Sequence, residues 1–290
     1  MTMSKKMTRS PFSLRTMLRA PQAPVDLASL DPAATPGLGA RGKDEVPALM
    51  NTIAVELSDL QEKLFANGRA AEGAKSVLVV LQGMDTSGKG GVVRHVFGLV
   101  DPQGLQLKAF KAPTKEELAH DFLWRIRAEV PRPGMIGIFD RSHYEDVLIV
   151  RVNELVPVDV WRERYDLINQ FEAELVASGT TIIKCFLHIS PEKQRERLLE
   201  RLENPEKHWK YNPGDVDVRE KWGAYAEAYA DVLALTNPDS APWYVIPSDR
   251  KWYRNWAIAQ LLHEHLADLN LPWPAGDFDV AAEIKRVKAS

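Results

Sequence analysis

The stretch Gly83-Met84-Asp85-Thr86-Ser87-Gly88-Lys89-Gly90 follows the apolar run Val77–Leu81 and decides the fold that the chain should adopt. A strand, a turn of the form G-x-x-x-x-G-K and a helix together make a phosphate-binding loop, whose N–H groups face the phosphates while the lysine neutralises their charge. The usual loop ends in Ser or Thr, whose hydroxyl binds Mg²⁺. Gly90 stands at that position and has no hydroxyl. We therefore expect a phosphate site whose metal is held by another side chain, and Asp85 is the candidate.

The pattern around this loop predicts an α/β protein. Further short apolar runs lie around residues 106–110, 135–139, 180–189 and 243–246, and helical patterns separate them. The clearest helix covers about 158–178. Continuous apolar strands that alternate with helices are typical of a mostly parallel sheet with helices on both faces. We expect a three-layer phosphate-loop kinase fold.

The N-terminal 44 residues differ in composition from the rest. The first 20 residues carry five basic and no acidic side chains, which is compatible with a transit peptide or with an untethered basic arm. Residues 20–45 are so rich in Pro and Gly that they should form a linker or a strap on the surface. We expect residues 1–44 to be this arm and linker, residues 45–272 to be the kinase domain and residues 273–290 to be a C-terminal tail.

Composition limits the classes of function. Among 290 residues, 37 Lys and Arg stand against 40 Asp and Glu, for a net charge of −3. This balance argues against a protein that coats nucleic acid. No apolar run approaches the length of a membrane span, and the one cysteine, Cys185, excludes a disulfide framework. We expect no nucleic-acid or membrane partner and a cytoplasmic location.

A second signal is the strand Ile136–Phe139 followed by Asp140 and Arg141. Phosphate-loop enzymes place an aspartate on the metal side of the site at this point. If both strands end at the same edge of the sheet, Asp85 and Asp140 together supply Mg²⁺ with its carboxylate ligands. Arg141 would then stabilise charge on the transferred phosphoryl group. The alternatives are a helix N-cap for Asp140 and a surface ion pair for Arg141.

A third signal is a basic stretch that begins at Pro191 and ends at Trp222. Its segment Asn204–Asp215 contains two prolines and places cations beside aromatic side chains. Such a stretch can be a solvated helix face, or a lid that closes over phosphates and excludes water. We expect a lid over about residues 195–222, and we call this range the lid segment.

Taken together, these residues resemble the polyphosphate kinase 2 family over about residues 45–272. The resemblance rests on three blocks: Gly83 to Gly91, Phe139 to Asp146 (Phe-Asp-Arg-Ser-His-Tyr-Glu-Asp), and Pro205 to Lys210 (Pro-Glu-Lys-His-Trp-Lys). It implies a fold similar to that of thymidylate kinase. It also implies reversible phosphoryl transfer between inorganic polyphosphate and nucleoside phosphates, with Mg²⁺, or alternatively Mn²⁺, as the metal.

The resemblance also assigns roles to residues. It implies that Asp85 and Asp140 hold the metal and position the acceptor, and that Arg141 meets the nucleotide phosphates. The residues expected to bind polyphosphate are Gly83, Gly88, Lys89, Gly90, Gly91, Arg201, Lys207 and Lys210. The continuation Ser142–Leu148 resembles the branch that phosphorylates both AMP and ADP. Adenine or guanine nucleotides and a homo-oligomer, either a dimer or a tetramer, complete these expectations.

Two other functions remain open on the sequence alone. One is an ATP-dependent nucleotide or small-molecule kinase of the same fold. The other is an inactive protein that only binds nucleotides or polyphosphate. The presence of Asp85, Lys89, Asp140 and Arg141 argues against the inactive protein.

Overall fold

In the computed structural model, which describes residues 13–21, 24–70 and 73–290, five strands form one parallel sheet. The order of the strands is β2-β3-β1-β4-β5, with all four pairings parallel. Their bounds are β1 Ser76–Gln82, β2 Leu105–Ala109, β3 Ile136–Asp140, β4 Thr180–His188 and β5 Trp243–Pro247. The predicted parallel sheet is confirmed, with each strand within two residues of its predicted position.

Eleven α-helices are present in the described part of the chain. Their bounds are α1 Leu14–Leu18, α2 Val46–Ala70, α3 Lys89–His95, α4 Trp124–Arg127, α5 Ile149–Val152, α6 Val158–Ala177, α7 Pro191–Glu203, α8 Gly214–Glu220, α9 Trp222–Leu235, α10 Lys251–Asp268 and α11 Val280–Ala289. None of them combines the length and the apolar composition needed to cross a membrane.

The central strand β1 is buried on both faces because helices cover each side of the sheet. Val77, Val79 and Leu81 join one core with α2, α3 and α10, whereas Leu78 and Val80 join a second core with α6 and α9. Alternate side chains of a strand point to opposite faces, so these two cores are the two faces of the sheet. The predicted three-layer arrangement is confirmed.

Two glycines near the ends of helices have structural reasons. The helix α2 runs to Ala70 and contains Gly68 close to its end. A Cβ on Gly68 would lie 2.4 Å from the Cα of Gly134, so glycine is needed here for close packing. The helix α6, predicted over about 158–178, is followed by Gly179 with a φ of +97°.

The N-terminal segment that we expected to be a linker or strap is bound closely to the domain. In residues 24–44, Val25 and Leu38 are buried, and the carbonyls of Pro32 and Pro36 accept hydrogen bonds from Asp249 N and Tyr253 Oη at 3.0 and 2.9 Å. The α1 residues Leu14 and Leu18 also belong to the core. The packed structure therefore extends N-terminal to residue 45. Residues 1–12 and 22–23 of the expected basic arm and linker lie outside the described residues.

A buried charged network underlies the second core. Lys184 on β4 donates to Glu172 of α6 at 2.5 Å, to Tyr144 Oη at 3.1 Å and to the carbonyl of Thr236 at 2.7 Å. Tyr144 Oη also donates to Glu172 at 2.7 Å, and the ring of His143 lies 3.3 Å from the same carboxylate. The network fixes the backbone that follows β3, which carries Arg141.

Replacement of Lys184 tests how much this pair contributes to the fold. K184M leaves Glu172 charged and buried without its cation, so we expect the free energy of unfolding to fall by about 3 to 5 kcal/mol. The double variant K184M/E172Q removes both charges and should recover more than half of that loss, since an uncharged pair has no unpaired ion. Urea unfolding followed by tryptophan fluorescence measures both. Equal stability of the two variants would contradict this account.

Candidate active site at the phosphate loop

The loop after β1 has the backbone of a phosphate-binding loop. Gly83 and Gly88 have φ values of +149° and +109°, a region that side chains with a Cβ rarely adopt. Lys89 is the first residue of α3, and its buried side chain folds back so that Nζ donates to the carbonyl of Gly83 at 2.7 Å. The N–H groups of Lys89 and Gly90 form no hydrogen bond within the described residues. The loop therefore places an ammonium group and free donors around one space.

The parallel sheet brings the second signal to the same edge. Leu81 of β1 is in register with Asp140 of β3, so the segments that follow them are neighbours. Arg141 donates to the carboxylate of Asp85 at 2.8 Å, and its φ of +62° turns it toward the loop. The four predicted catalytic residues, Asp85, Lys89, Asp140 and Arg141, are thus close together.

Opposite charges in this cluster influence one another. Burial is the main cause of a lowered pKa for Lys89, and Arg141 adds to it, whereas Asp85, Asp140 and Glu145 act in the opposite direction. Burial also acts to lower the pKa of Arg141, but the same three carboxylates outweigh it and the net shift is upward. Burial raises the pKa of the Glu145 carboxyl, against the effect of the two cations. Two cations and three carboxylates therefore share one partly desolvated space.

The residues present fit a divalent metal that completes its shell with phosphates and water. No group of three or more His, Cys, Asp or Glu side chains arranged to hold a metal occurs in the described residues, so the protein offers Asp85 and Asp140 rather than a full cage. Mg²⁺ typically binds one or two carboxylates together with phosphate oxygens and waters. In addition, Thr86 Oγ1 and Ser87 Oγ are buried in the loop with no hydrogen-bond partner among the described atoms. The loop thus retains polar groups that a bound ligand can satisfy.

The rear of the loop is held by three side chains that the sequence analysis did not select. Gln194 of α7 donates to the carbonyl of Asp85 at 3.1 Å, and Arg197 of α7 donates to that of Thr86 at 2.8 Å. Arg254 of α10 donates to the carbonyl of Ser87 at 3.0 Å. Three consecutive loop carbonyls are therefore bound from behind.

For Gly91, which we expect among the polyphosphate-binding residues, the structure shows a contact within the protein. Its N–H donates to the carbonyl of Gly88 at 2.9 Å and is not free for a phosphate in this structure. Glycine is needed at this position because there is no room for a side chain: a Cβ on Gly91 would lie 2.8 Å from the guanidinium of Arg254. Gly90 differs again, since a Cβ there would meet nothing within 4 Å.

The predicted cations of the lid segment are only partly brought to the loop. Arg201 pairs with Asp215 at 3.2 Å. Burial raises the pKa of Asp215, and its carboxyl also interacts electrostatically with Asp85, Arg141 and Lys89 of the site. Lys207 instead pairs with Glu200, and Lys210 lies 4.8 Å from the ring centre of Trp209. No contact within the described residues joins Lys207 or Lys210 to the loop.

Two acidic residues near the site were missed as site residues. Glu145 lies one turn after Arg141 within the quoted block, so its position in that motif was the available signal. Asp215 lies at the end of the Pro-rich part of the lid segment, where no motif marks it as a site residue. Both residues belong to the site because they interact with residues that are distant in the sequence, such as Lys89 and Asp85.

A sequence model of the family described as polyphosphate kinase 2 matches residues 41–272. The chain belongs to the polyphosphate kinase 2 family. Among its relatives, a protein of Meiothermus ruber named AMP/ADP-polyphosphate phosphotransferase is 47% identical over 88% of this chain and 93% of its own length. A Rhodopseudomonas palustris protein named ADP-polyphosphate phosphotransferase is 41% identical over 80% of this chain and 83% of its own.

A solved structure supports the same assignment. The crystal structure of a polyphosphate kinase 2 from Arthrobacter aurescens is similar with a TM-score of 0.93 and 48% identity, and the match covers 96% of this chain and 98% of that one. This likeness extends over both the sheet and the helices around the loop. The phosphate-loop kinase fold expected from the sequence is confirmed.

Two glycines of the loop provide a matched test of this geometry. G88A introduces a Cβ 1.8 Å from Arg254 at a positive φ, so we expect a loss of stability of about 1 to 3 kcal/mol and a large loss of activity. G90A places a Cβ in open space and should keep the stability of the wild type. Thermal unfolding of the two variants measures this difference. Equal melting temperatures would contradict the role assigned to Gly88.

Proposed function

We propose that this protein catalyses metal-dependent, reversible phosphoryl transfer between inorganic polyphosphate and nucleoside mono- and diphosphates, converting AMP to ADP and ADP to ATP. The observation that carries the proposal is the convergence of Lys89 and Arg141 with Asp85 and Asp140 at one edge of the sheet. The names of the relatives from Meiothermus and Rhodopseudomonas support the choice of polyphosphate as the donor.

The proposed reaction displaces one phosphate linkage by another. An oxygen of the terminal phosphate of the acceptor attacks the terminal phosphorus of polyphosphate, and the bond to the bridging oxygen breaks, leaving a chain shorter by one unit. Lys89 and the loop N–H groups bind the donor phosphates, while Arg141 contacts the acceptor phosphate and the group in transfer. Asp85 and Asp140 would hold the metal, which neutralises charge on the phosphate oxygens when bound.

Arg141 already has an anionic partner in the absence of substrate. Its contact with Asp85 keeps both side chains at the centre of the site. The buried Glu145 also interacts electrostatically with Arg141 and Asp85. On binding, phosphate oxygens and the metal would replace part of this pairing. Positioned charges of this kind provide most of the catalysis in phosphoryl transfer, because the transition state carries its charge on the phosphoryl oxygens.

Use of both AMP and ADP is the acceptor range that we propose. It is supported by the Ser142–Leu148 block and by the name of the Meiothermus relative. Mg²⁺ is the metal we propose, with Mn²⁺ as the alternative, because the two carboxylates suit a hard cation that keeps water ligands. Activity with guanine nucleotides, a dimeric or tetrameric assembly and a cytoplasmic location stay predictions.

A direct assay tests the proposed donor. Incubation of the protein with long-chain polyphosphate, Mg²⁺ and either AMP or ADP, with no ATP added, should yield ADP and ATP from AMP and ATP from ADP. Product nucleotides are separated by chromatography, and a reaction without polyphosphate is the control. Absence of product with both acceptors, together with turnover when ATP is the donor, would instead favour the ATP-dependent kinase.

Two substitutions test the proposed roles of the loop residues. K89A should abolish transfer because the donor phosphates lose their buried cation. D85N should lower kcat by about a hundredfold or more, since it removes a carboxylate on which the metal depends. D59N, which removes an exposed carboxylate on α2, is the matched control and should keep wild-type turnover. Wild-type turnover in D85N would exclude Asp85 as the substitute for the missing loop hydroxyl.

A further inference from the structure

Arg254 is a buried cation that the reaction as described above does not use. Its residue is only 3% exposed, and it lies on α10 behind the phosphate loop. Its guanidinium donates to the carbonyl of Ser87 and, at 2.9 Å, to Oδ1 of Asn255. Both acceptors are neutral. Among the described residues, no carboxylate forms an ion pair with Arg254.

The surroundings make this charge costly. Burial and the positive charge of Arg197 together lower the pKa of Arg254 to about 9. A charge removed from water is stable only if an opposite charge or several good hydrogen bonds compensate it, and here a second buried guanidinium makes the balance worse. The guanidinium of Arg254 therefore lies behind the loop with no carboxylate in the described residues paired to it.

Two glycines let this charge lie directly against the backbone of the loop. A Cβ on Gly88 or Gly91 would lie within 3 Å of the guanidinium of Arg254. No side chain stands between the guanidinium and this part of the loop. Since Lys89 lies between the two glycines in sequence, the space next to them is where donor phosphates would bind.

We propose that Arg254 supports polyphosphate binding from behind the loop, where its guanidinium acts through the glycine backbone as the counter-charge for donor phosphates beyond the one being transferred. The proposal rests on the proposed function, because it requires polyphosphate as the donor. A long polyanion carries about one charge per phosphate and needs cations along its whole path, whereas a nucleoside phosphate acceptor needs them only at its short phosphate tail. Arg254 should therefore matter for the donor and not for the acceptor.

The structure offers a variant that removes this charge without altering Arg254. N255D replaces the amide oxygen 2.9 Å from the guanidinium with a carboxylate of nearly the same shape. The new ion pair should leave the fold as stable as before or more stable, because it compensates a buried cation. It should also raise the KM for polyphosphate by about tenfold, the size expected of one charge–charge interaction across a partly desolvated loop, with the KM for ADP unchanged.

Direct substitution separates charge from hydrogen bonding. R254K keeps the positive charge, whereas R254Q keeps a donor for the carbonyl of Ser87 but is neutral. We expect R254K to retain most of the affinity for polyphosphate and R254Q to lose about tenfold. A purely structural role in holding the loop predicts the opposite order, or equal losses in both variants.

The decisive experiment combines kinetics with a binding measurement. For wild type, N255D, R254K and R254Q, we would measure the KM for polyphosphate and for ADP, and the rise in melting temperature caused by polyphosphate alone. N51D, which adds the same charge on an exposed part of α2, is the matched control. We expect the polyphosphate-induced rise to be reduced in N255D and R254Q and kept in R254K and N51D.

The outcomes are distinguishable. An unchanged KM for polyphosphate in N255D would overturn the inference, even if R254Q fails to fold. Equal losses for polyphosphate and ADP would also overturn it. If wild type neither uses polyphosphate nor is stabilised by it, the proposed function itself fails; if wild type does both and N255D behaves like wild type, only the role of Arg254 fails.

Discussion

The site depends on hydrogen bonds that hold the phosphate loop from behind. A loop can direct its N–H groups toward a phosphate only if its carbonyl groups find donors elsewhere, because a buried carbonyl without a partner is costly. Here Gln194, Arg197 and Arg254 donate to three consecutive carbonyls of the loop. These bonds fix the position of Lys89 and leave the N–H groups at the start of α3 facing the opposite side.

The charges in front of the loop depend on one another in the same way. Lys89 and Arg141 would repel each other in this small space, and Asp85, Asp140 and Glu145 offset that repulsion. The carboxylates would in turn repel the phosphates if the cations and a bound metal were not beside them. The arrangement therefore tolerates a highly charged substrate because charges of both signs are already in place before it binds.

The sequence predicted the features that depend on local patterns. The strands were found because each is a continuous apolar run, and the residues predicted to be catalytic because they lie at or just after the ends of β1 and β3. The close packing of Gly68 of α2 was not predicted, because its partner is Gly134, which lies far away in the chain. Arg254 was missed because a side chain that binds a backbone carbonyl leaves no spacing or composition that marks it.

The attachment of α7 to the loop also limits which part of the predicted lid segment could move. Gln194 and Arg197 are bound to the loop, and Ser190 before the helix is bound to Asp249. Any motion that leaves the loop intact must therefore pivot beyond Arg197. Because α7 continues for six residues beyond Arg197, to Glu203, such a pivot would lie near the C-terminal end of a continuous helix, and the bending stiffness of that helix would set how far the arm could travel.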